Sequence, residues 1–203
     1  MPIIEGLEQG SNEWHEFRSK HIMGTDVSVI LGNNKWKSKL DLWEEKKGIR
    51  LPQQVNEAML RGHKLEPEAR ALASVDLKIE FNPVVIQSLK YPWLAVSLDG
   101  FSPCGKYILE IKCPKELTHL EGIQWCFPNY YHDQIQTQLL VSEAETCFYV
   151  SYRPEYEKKP LVIIEVKPNK EKHREIIEKS YGFYVQLCNM EEPKEWELNK
   201  RRE

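Results

Sequence analysis

Nowhere does the sequence carry the roughly 18 consecutive apolar residues from which a membrane-spanning helix is built, so no transmembrane segment is expected. The opening Met1-Pro2-Ile3-Ile4-Glu5-Gly6 has neither a basic start nor a long apolar core behind it, and a secretory signal is not expected. Five cysteines, Cys104, Cys113, Cys126, Cys147 and Cys188, are scattered without a CxxC pair, and their number is odd. A disulfide framework, a zinc site or an iron–sulfur site needs paired or tighter spacing. Reduced thiols in a cytosolic protein are therefore expected.

An excess of charge of one sign is missing too. There are 28 basic and 31 acidic side chains, for a formal net charge of −3. That balance does not advertise a nucleic-acid binder, but it does not exclude one either, because a local basic groove can sit on an acidic protein. Internal repeats and low-complexity linkers are absent from the sequence. With 41% apolar and 29% charged residues over 203 positions, the chain suits one globular domain, 1–203, with a sizeable core.

What is present reads as helices, then strands, a helix, two strands and a helix. Ser11-Asn12 caps a first helix through Lys20, with Trp14, Phe17 and Arg18 on or beside one face. Gly24-Thr25-Asp26 opens a short second helix, Val27 to Leu31, closed by Gly32. Asn33-Asn34-Lys35-Trp36-Lys37 is a basic, aromatic loop, and Ser38 caps a third helix ending before Gly48. Residues 53–75 predict a long helix with Met59, Leu60, Leu65, Ala69, Leu72 and Ala73 as its apolar stripe. Pro67 is expected to kink or restart it, leaving Glu66 at an irregular or exposed point. Strands are expected at 84–86, 93–96, 107–112, 147–152 and 161–166. A polar segment follows Pro114, a helix spans 130–141, and a last helix covers about 169–188, followed by a charged tail, 189–203.

The stretch with the most chemistry is Val96-Ser97-Leu98-Asp99-Gly100 with Tyr107-Ile108-Leu109-Glu110-Ile111-Lys112. It reads as a strand ending in an Asp-Gly turn, then a strand whose Glu110 and Lys112 share a face because side chains alternate. Two carboxylates at adjacent strand ends repel unless a cation lies between them. Mg²⁺ takes hard oxygen ligands and needs only one or two carboxylates beside substrate phosphate and water. The Ile111 carbonyl could add a ligand, Glu66 could complete the acidic cluster, and Lys112 would orient water or hold developing phosphate charge. A Glu-x-Lys strand alone also fits a solvated face, and Asp-Gly alone also fits an ordinary hairpin.

Taken in order, four blocks resemble the YqaJ-type viral recombinase family, to which lambda exonuclease belongs, within the PD-(D/E)xK nuclease superfamily. They are Trp14 to Arg18 with Gly24-Thr25-Asp26; Arg61-Gly62 through Glu66; Ser97-Leu98-Asp99-Gly100 with Glu110-Ile111-Lys112; and Tyr131-His132-Asp133-Gln134-Ile135-Gln136. The resemblance covers about residues 10–152. It implies an α/β (α+β) fold with a central mixed sheet flanked by helices, the restriction-endonuclease-like core. It implies Mg²⁺-dependent (Mn²⁺ as substitute), processive 5′-to-3′ digestion of linear double-stranded DNA, leaving a 3′ overhang. It also implies a toroidal trimer, a single-strand annealing partner, and a phage or prophage protein in the bacterial cytoplasm.

By motif, the resemblance makes Asp99, Glu110 and the Ile111 carbonyl metal ligands, with Glu66 beside them. Lys112 is then the water-positioning lysine, and Gln134 contacts water or substrate. Arg18 becomes the 5′-phosphate arginine, with Thr25, Ser97, Lys35 and Lys37 as further DNA candidates. The chain departs from its relatives in two places. Many carry Thr-Ala-Ser where this one has Gly24-Thr25-Asp26, and a carboxylate at Asp26 is expected to repel a 5′-phosphate. Leu98 stands where the motif has proline.

Several residues keep plainer uses. Arg18 could pair with Glu13 on the surface. Trp36 suits base stacking and a core anchor equally. Gln134 is the functional candidate of its pair, with Gln138 more peripheral. His63 and His132 are given no role. Three functions stay open: an exonuclease of phage-type recombination, an endonuclease or nickase of the same superfamily, and a non-catalytic DNA-end binder.

Overall fold

The computed structural model describes residues 3–4, 6–7, 10–51, 56–124 and 127–193. Cys126, residues 53–55 and most of the charged tail lie outside the described residues. In chain order the elements are α1 (Asn12–Lys20), β1 (Ile22–Met23), α2 (Gly24–Ile30), α3 (Lys39–Lys46), α4 (Glu57–Leu77), β2 (Asn82–Gln87) and β3 (Leu94–Phe101). They continue with β4 (Tyr107–Lys112), α5 (Glu116–Ile123), α6 (Asn129–Ser142), β5 (Thr146–Tyr152), β6 (Leu161–Val166) and α7 (Lys170–Cys188). No described helix is long and apolar enough to cross a membrane.

Polar caps start α1 and α7 where the sequence places them: Ser11 accepts from the Trp14 N–H, and Asn169 from the Glu171 and Lys172 N–H groups. α4 begins at Glu57, later than the expected residue 53, where Asn56 accepts from the Met59 N–H. Ser38 and Asp41 bond reciprocally as a capping box on α3.

One six-stranded mixed sheet runs β1-β3-β4-β5-β6, with β2 also on β3. The pairings β1–β3 and β4–β5 are parallel, and β2–β3, β3–β4 and β5–β6 are antiparallel. β2 follows one edge of β3 from Ala95 to Phe101. β1 and β4 therefore share the other edge, at opposite ends: β1 meets Leu94 and Ala95, and β4 meets Gly100 and Phe101. Between them, residues 96–99 of that edge have no strand partner among the described strands. The sheet is split at that point.

Helices cover both faces. A core on one side gathers Val27, Ile30, Leu42, Trp43, Ile108, Ile135, Leu139, Tyr149, Ile176 and Phe183. A smaller core on the other lies under α4, where Ala69 and Ala73 meet Phe81, Leu109, Ile111 and Val150. Small residues on α4 let its backbone approach the sheet closely.

The structure corrects four expectations. Asp99-Gly100 is not a turn but lies inside β3, and the reversal comes later, at 102–106. Gly100 is needed there because an added Cβ would lie 2.8 Å from Phe81 Cβ and 3.0 Å from Leu109 Cδ1. α4 continues through Pro67, so Glu66 sits on a continuous helix and is partly buried, not at a break. The α4 stripe narrows to Leu65, Ala69 and Ala73, while Met59, Leu60 and Leu72 are exposed. The polar segment after Pro114 is the helix α5. Its charged residues face solvent, while His119 and Gly122 are buried and Ile123 packs on the core, too sparse a stripe to advertise a helix in the sequence.

Candidate active site

At the split in the sheet, β3 and β4 stop pairing after Gly100↔Leu109, and the next residues are Asp99 and Glu110. The Asp99 side chain takes over from the ladder, its Oδ2 accepting the Ile111 N–H at 2.7 Å. Two carbonyls of the open β3 edge are taken by side chains. Arg70 Nε donates to the Asp99 carbonyl at 2.5 Å, and Gln138 Nε2 lies 3.4 Å from the Ser97 carbonyl. Arg70 also donates to the Glu66 carboxylate, so one guanidinium ties α4 to β3.

Glu110 is fully buried. Such a carboxylate needs donors, and it has three. Gln134 Nε2 donates to Oε1 at 2.8 Å, Gln138 Nε2 donates to Oε2 at 2.5 Å, and Lys112 Nζ pairs with Oε1. Lys112 also lies over the Tyr131 ring, 5.1 Å from its centroid. The structure thus brings together Asp99, Glu110, Lys112, Glu66 and Gln134, all five hydrolytic candidates.

Charge within this cluster is strained. Burial first, and then the Glu110 carboxylate, push Asp99 well above the usual carboxylate range, against the pull of Lys112. Glu66 is likewise raised by burial, with Arg70 pulling the other way. Burial disfavours the charged form of Lys112, but Glu110 and Asp99 outweigh it and its pKa is raised. A second cation would relieve the same repulsion.

Among the described residues, no three His, Cys, Asp or Glu side chains stand close enough together to hold an ion between them. The donor set nevertheless fits a hard divalent cation, which needs few protein ligands. Asp99 and Glu110 supply carboxylate oxygens on adjacent strands, and Lys112 supplies the compensating positive charge in the structure. Gln138 Oε1 and Tyr149 Oη are buried beside them without a hydrogen-bond partner among the described residues, which gives the site polar capacity for further ligands.

A second group of candidates lies around α1 and α2. Arg18 Nη2 donates to Thr25 Oγ1 at 3.2 Å, and its guanidinium sits 4.4 Å from the centroid of the Trp14 ring. Arg18 therefore pairs with Thr25 and Trp14, not with Glu13. α2 begins packed between β3 and α6: a Cβ added at Gly24 would crowd Val96 Cγ1 at 3.3 Å and lie in ordinary contact, 3.7 Å, with the Gln134 carbonyl oxygen. The Arg18 group and the acidic cluster are thus neighbours across α6.

Asp26 does not face outward. Its side chain is 10% exposed and forms a 2.6 Å ion pair with Lys46, itself 9% exposed. The Met23 N–H also donates to it, at 2.9 Å. Burial raises the Asp26 pKa, but Lys46 and Arg18 overcome this and hold it below the usual range. Lys46 Nζ additionally donates to the carbonyls of Arg18 and His21, both at 2.7 Å, closing the end of α1. The expected repulsion by Asp26 is met inside the protein by Lys46.

The remaining candidates are placed more loosely. Lys35 is exposed, Lys37 is paired with Glu45 at 2.5 Å, and Ser97 offers its carbonyl to Gln138. Trp36 is exposed, so it is no core anchor. Two contributors were not anticipated from the sequence, Arg70 and Lys46, while Gln138, ranked below Gln134, touches Glu110 as directly as Gln134 does. Arg70 lies four residues after the candidate Glu66, on the same helix face, and that spacing was the available signal. For Lys46 the sequence carries no signal.

The model of the YqaJ-like viral recombinase domain matches residues 13–145. A protein of Acanthamoeba polyphaga mimivirus is 30% identical over 162 residues, which is 71% of this chain and 29% of that protein. YqaJ of Bacillus subtilis is 28% identical over 146 residues, 70% of this chain and 46% of that protein. The chain spans less than half the length of these curated relatives. The crystal structure of LHK-Exo, an alkaline exonuclease from Laribacter hongkongensis, superposes with a TM-score of 0.80 at 26% identity, covering 90% of this chain and 95% of that one. A phage related exonuclease from Haemophilus somnus shares the fold at a TM-score of 0.66 and 14% identity, over 87% and 99% of the two chains. The mixed sheet flanked by helices is the alkaline exonuclease fold.

Proposed function

Since the chain belongs to the YqaJ-like viral recombinase domain family, we propose that it is a Mg²⁺-dependent deoxyribonuclease. It digests linear duplex DNA from its ends, 5′ to 3′, and leaves a 3′ single-stranded overhang. The observation that carries this reading is the convergence of Asp99, Glu110, Lys112 and Glu66 where the sheet splits. Likeness to LHK-Exo in fold supports it.

Asp99, Glu110 and the Ile111 carbonyl would hold the ion, with Glu66 at its side. When bound, Mg²⁺ supplies Lewis acidity to the phosphodiester and lowers the pKa of attacking water. Gln134 and Gln138 fix the Glu110 carboxylate so that it cannot rotate away. Lys112 directs positive charge at the scissile phosphate, where negative charge develops during attack. Arg70 orients Glu66 and pins the Asp99 backbone. Arg18, stacked on Trp14 and bonded to Thr25, receives the 5′-phosphate and sets which bond reaches Lys112. A toroidal trimer, a single-strand annealing partner and action in the cytoplasm of a bacterial host complete the proposal, on family resemblance.

The test is a time course with Mg²⁺ on linear duplex bearing a 5′-phosphate, the same duplex with a 5′-hydroxyl, and a covalently closed circle. Loss of the phosphorylated linear duplex ahead of the hydroxyl form, with the circle intact, is the expected result. Cutting of the circle would make the protein an endonuclease or nickase. Tight binding without cleavage in both Mg²⁺ and Mn²⁺ would make it an end-binding module.

A further inference from the structure

An isolated exposed ring on a protein surface needs no explanation. Trp36 is 68% exposed, but it is not isolated. It meets Tyr130 edge-on with centroids 5.0 Å apart, and Tyr130 meets Tyr131 at 4.4 Å. Tyr131 lies beneath Lys112 Nζ at 5.1 Å. A continuous row of rings therefore leads from the lysine of the hydrolytic centre out to solvent.

The loop that carries Trp36 is held from several sides. Asn34 Oδ1 accepts from the N–H groups of Trp36 at 2.9 Å and Lys37 at 3.0 Å. Asn34 Nδ2 reaches Ser28 Oγ, and Asn33 Nδ2 donates at 2.7 Å to Asp133 on α6, two residues from Tyr131. Trp36 is thus presented on a tethered loop, flanked by the exposed Lys35.

Resting on the nuclease reading, we propose that Trp36, braced edge-on by Tyr130, is a stacking platform for unpaired bases of the DNA strand beside the scissile phosphate. Inside a duplex each base face is covered by its neighbour, so only a terminal or unpaired base can lie on these rings. Every base has a π-face, so the platform is indifferent to sequence, as a digesting enzyme requires. Lys35 serves the backbone phosphate of the same nucleotides. A second copy of this chain fits less well. Two aromatic side chains bury about 150–250 Å² each, against roughly 800 Å² per partner in a stable interface.

The test uses the full chain, with Ca²⁺ replacing Mg²⁺ to hold uncut complexes, on a blunt duplex and on one with a short 5′ single-stranded tail carrying 2-aminopurine. Wild type is expected to quench the 2-aminopurine and to favour the tailed duplex. Trp36→Ala should lose the quenching and bind the tailed duplex about 5- to 100-fold more weakly, with a smaller change on the blunt one. Trp36→Phe should restore most of both. Unchanged quenching or tailed-duplex affinity in Trp36→Ala overturns the platform. So does unchanged quenching accompanied by a lower oligomeric state, which would make the patch an interface between copies. If such a variant accompanies a wild type that still cuts duplex with Mg²⁺, only the platform falls. If wild type neither binds nor cuts either duplex, the nuclease reading falls as well.

Discussion

Replacing Asp26 by alanine removes the anionic half of a buried ion pair. Asp26 and Lys46 are 2.6 Å apart and each about nine-tenths enclosed. Stranding one partner of such a pair costs about 3–5 kcal/mol. Two features set the expectation at the lower end of that range. Lys46 keeps the carbonyls of Arg18 and His21, and it stays at the C-terminal end of α1, where positive charge is favoured. The Met23 N–H is left without its acceptor, which works in the opposite direction. A loss of about 3 kcal/mol is expected, or roughly 6–12 °C in Tm for a chain of this size. Thermal and urea unfolding followed by circular dichroism measure it.

The pH dependence has a definite sign. The folded Asp26 pKa is lowered, so its stabilisation is present above the ordinary carboxylate value and is lost as pH falls through the folded value. The gap between wild type and Asp26→Ala should be constant from neutral pH down to about 4 and close below it. A variant within about 1 kcal/mol of wild type at pH 7 would refute the buried-pair reasoning. So would a gap that widens in acid. Tighter binding of 5′-phosphorylated ends by the variant would show instead that Asp26 faces the phosphate.

Three further substitutions probe the acidic cluster and its support. Asp99→Asn removes one of two buried, mutually repelling carboxylates. In chelator it should raise stability by about 1 kcal/mol, read as a higher Tm, and no rise would mean the repulsion is already relieved. Arg70→Lys keeps the charge beside Glu66 but loses the forked contact that also holds the Asp99 carbonyl. Digestion should slow about 10- to 100-fold with KM for DNA little changed, and a pure KM effect would assign Arg70 to DNA binding instead. Gly100→Ala drives a methyl to 2.8 Å from Phe81 Cβ, so a loss of about 1–3 kcal/mol is expected in urea unfolding, and a neutral result would show that β2 and β3 can part.

Much of this was legible in the sequence, for identifiable reasons. Helix starts were readable because Ser11, Ser38 and Asn169 are local signals acting within three residues. Strands β4, β5 and β6 announced themselves by β-branched and aromatic runs. The centre of the candidate site was legible because Glu110 and Lys112 share a strand face whatever the rest of the chain does. What was missed depends on tertiary placement. Asp-Gly reads as a turn unless Phe81 and Leu109 are known to crowd Gly100 from outside the strand. Pro67 reads as a break unless the packing of Ala69 and Ala73 is there to hold α4 through it. Asp26 reads as a repulsive charge until Lys46, twenty residues on, is brought beside it. Gln138 reads as the more peripheral of its pair until the split in the sheet turns it onto Glu110.

The assignment of hydrolysis to the Asp99–Glu110–Lys112 cluster rests finally on one comparison. Wild type and Asp99→Ala are incubated with 5′-phosphorylated linear duplex and Mg²⁺, and released nucleotides are followed over time. Wild type should digest the duplex, and Asp99→Ala, still folded by circular dichroism, should release nothing above the no-enzyme rate. Digestion by Asp99→Ala at the wild-type rate would place the chemistry elsewhere in the molecule.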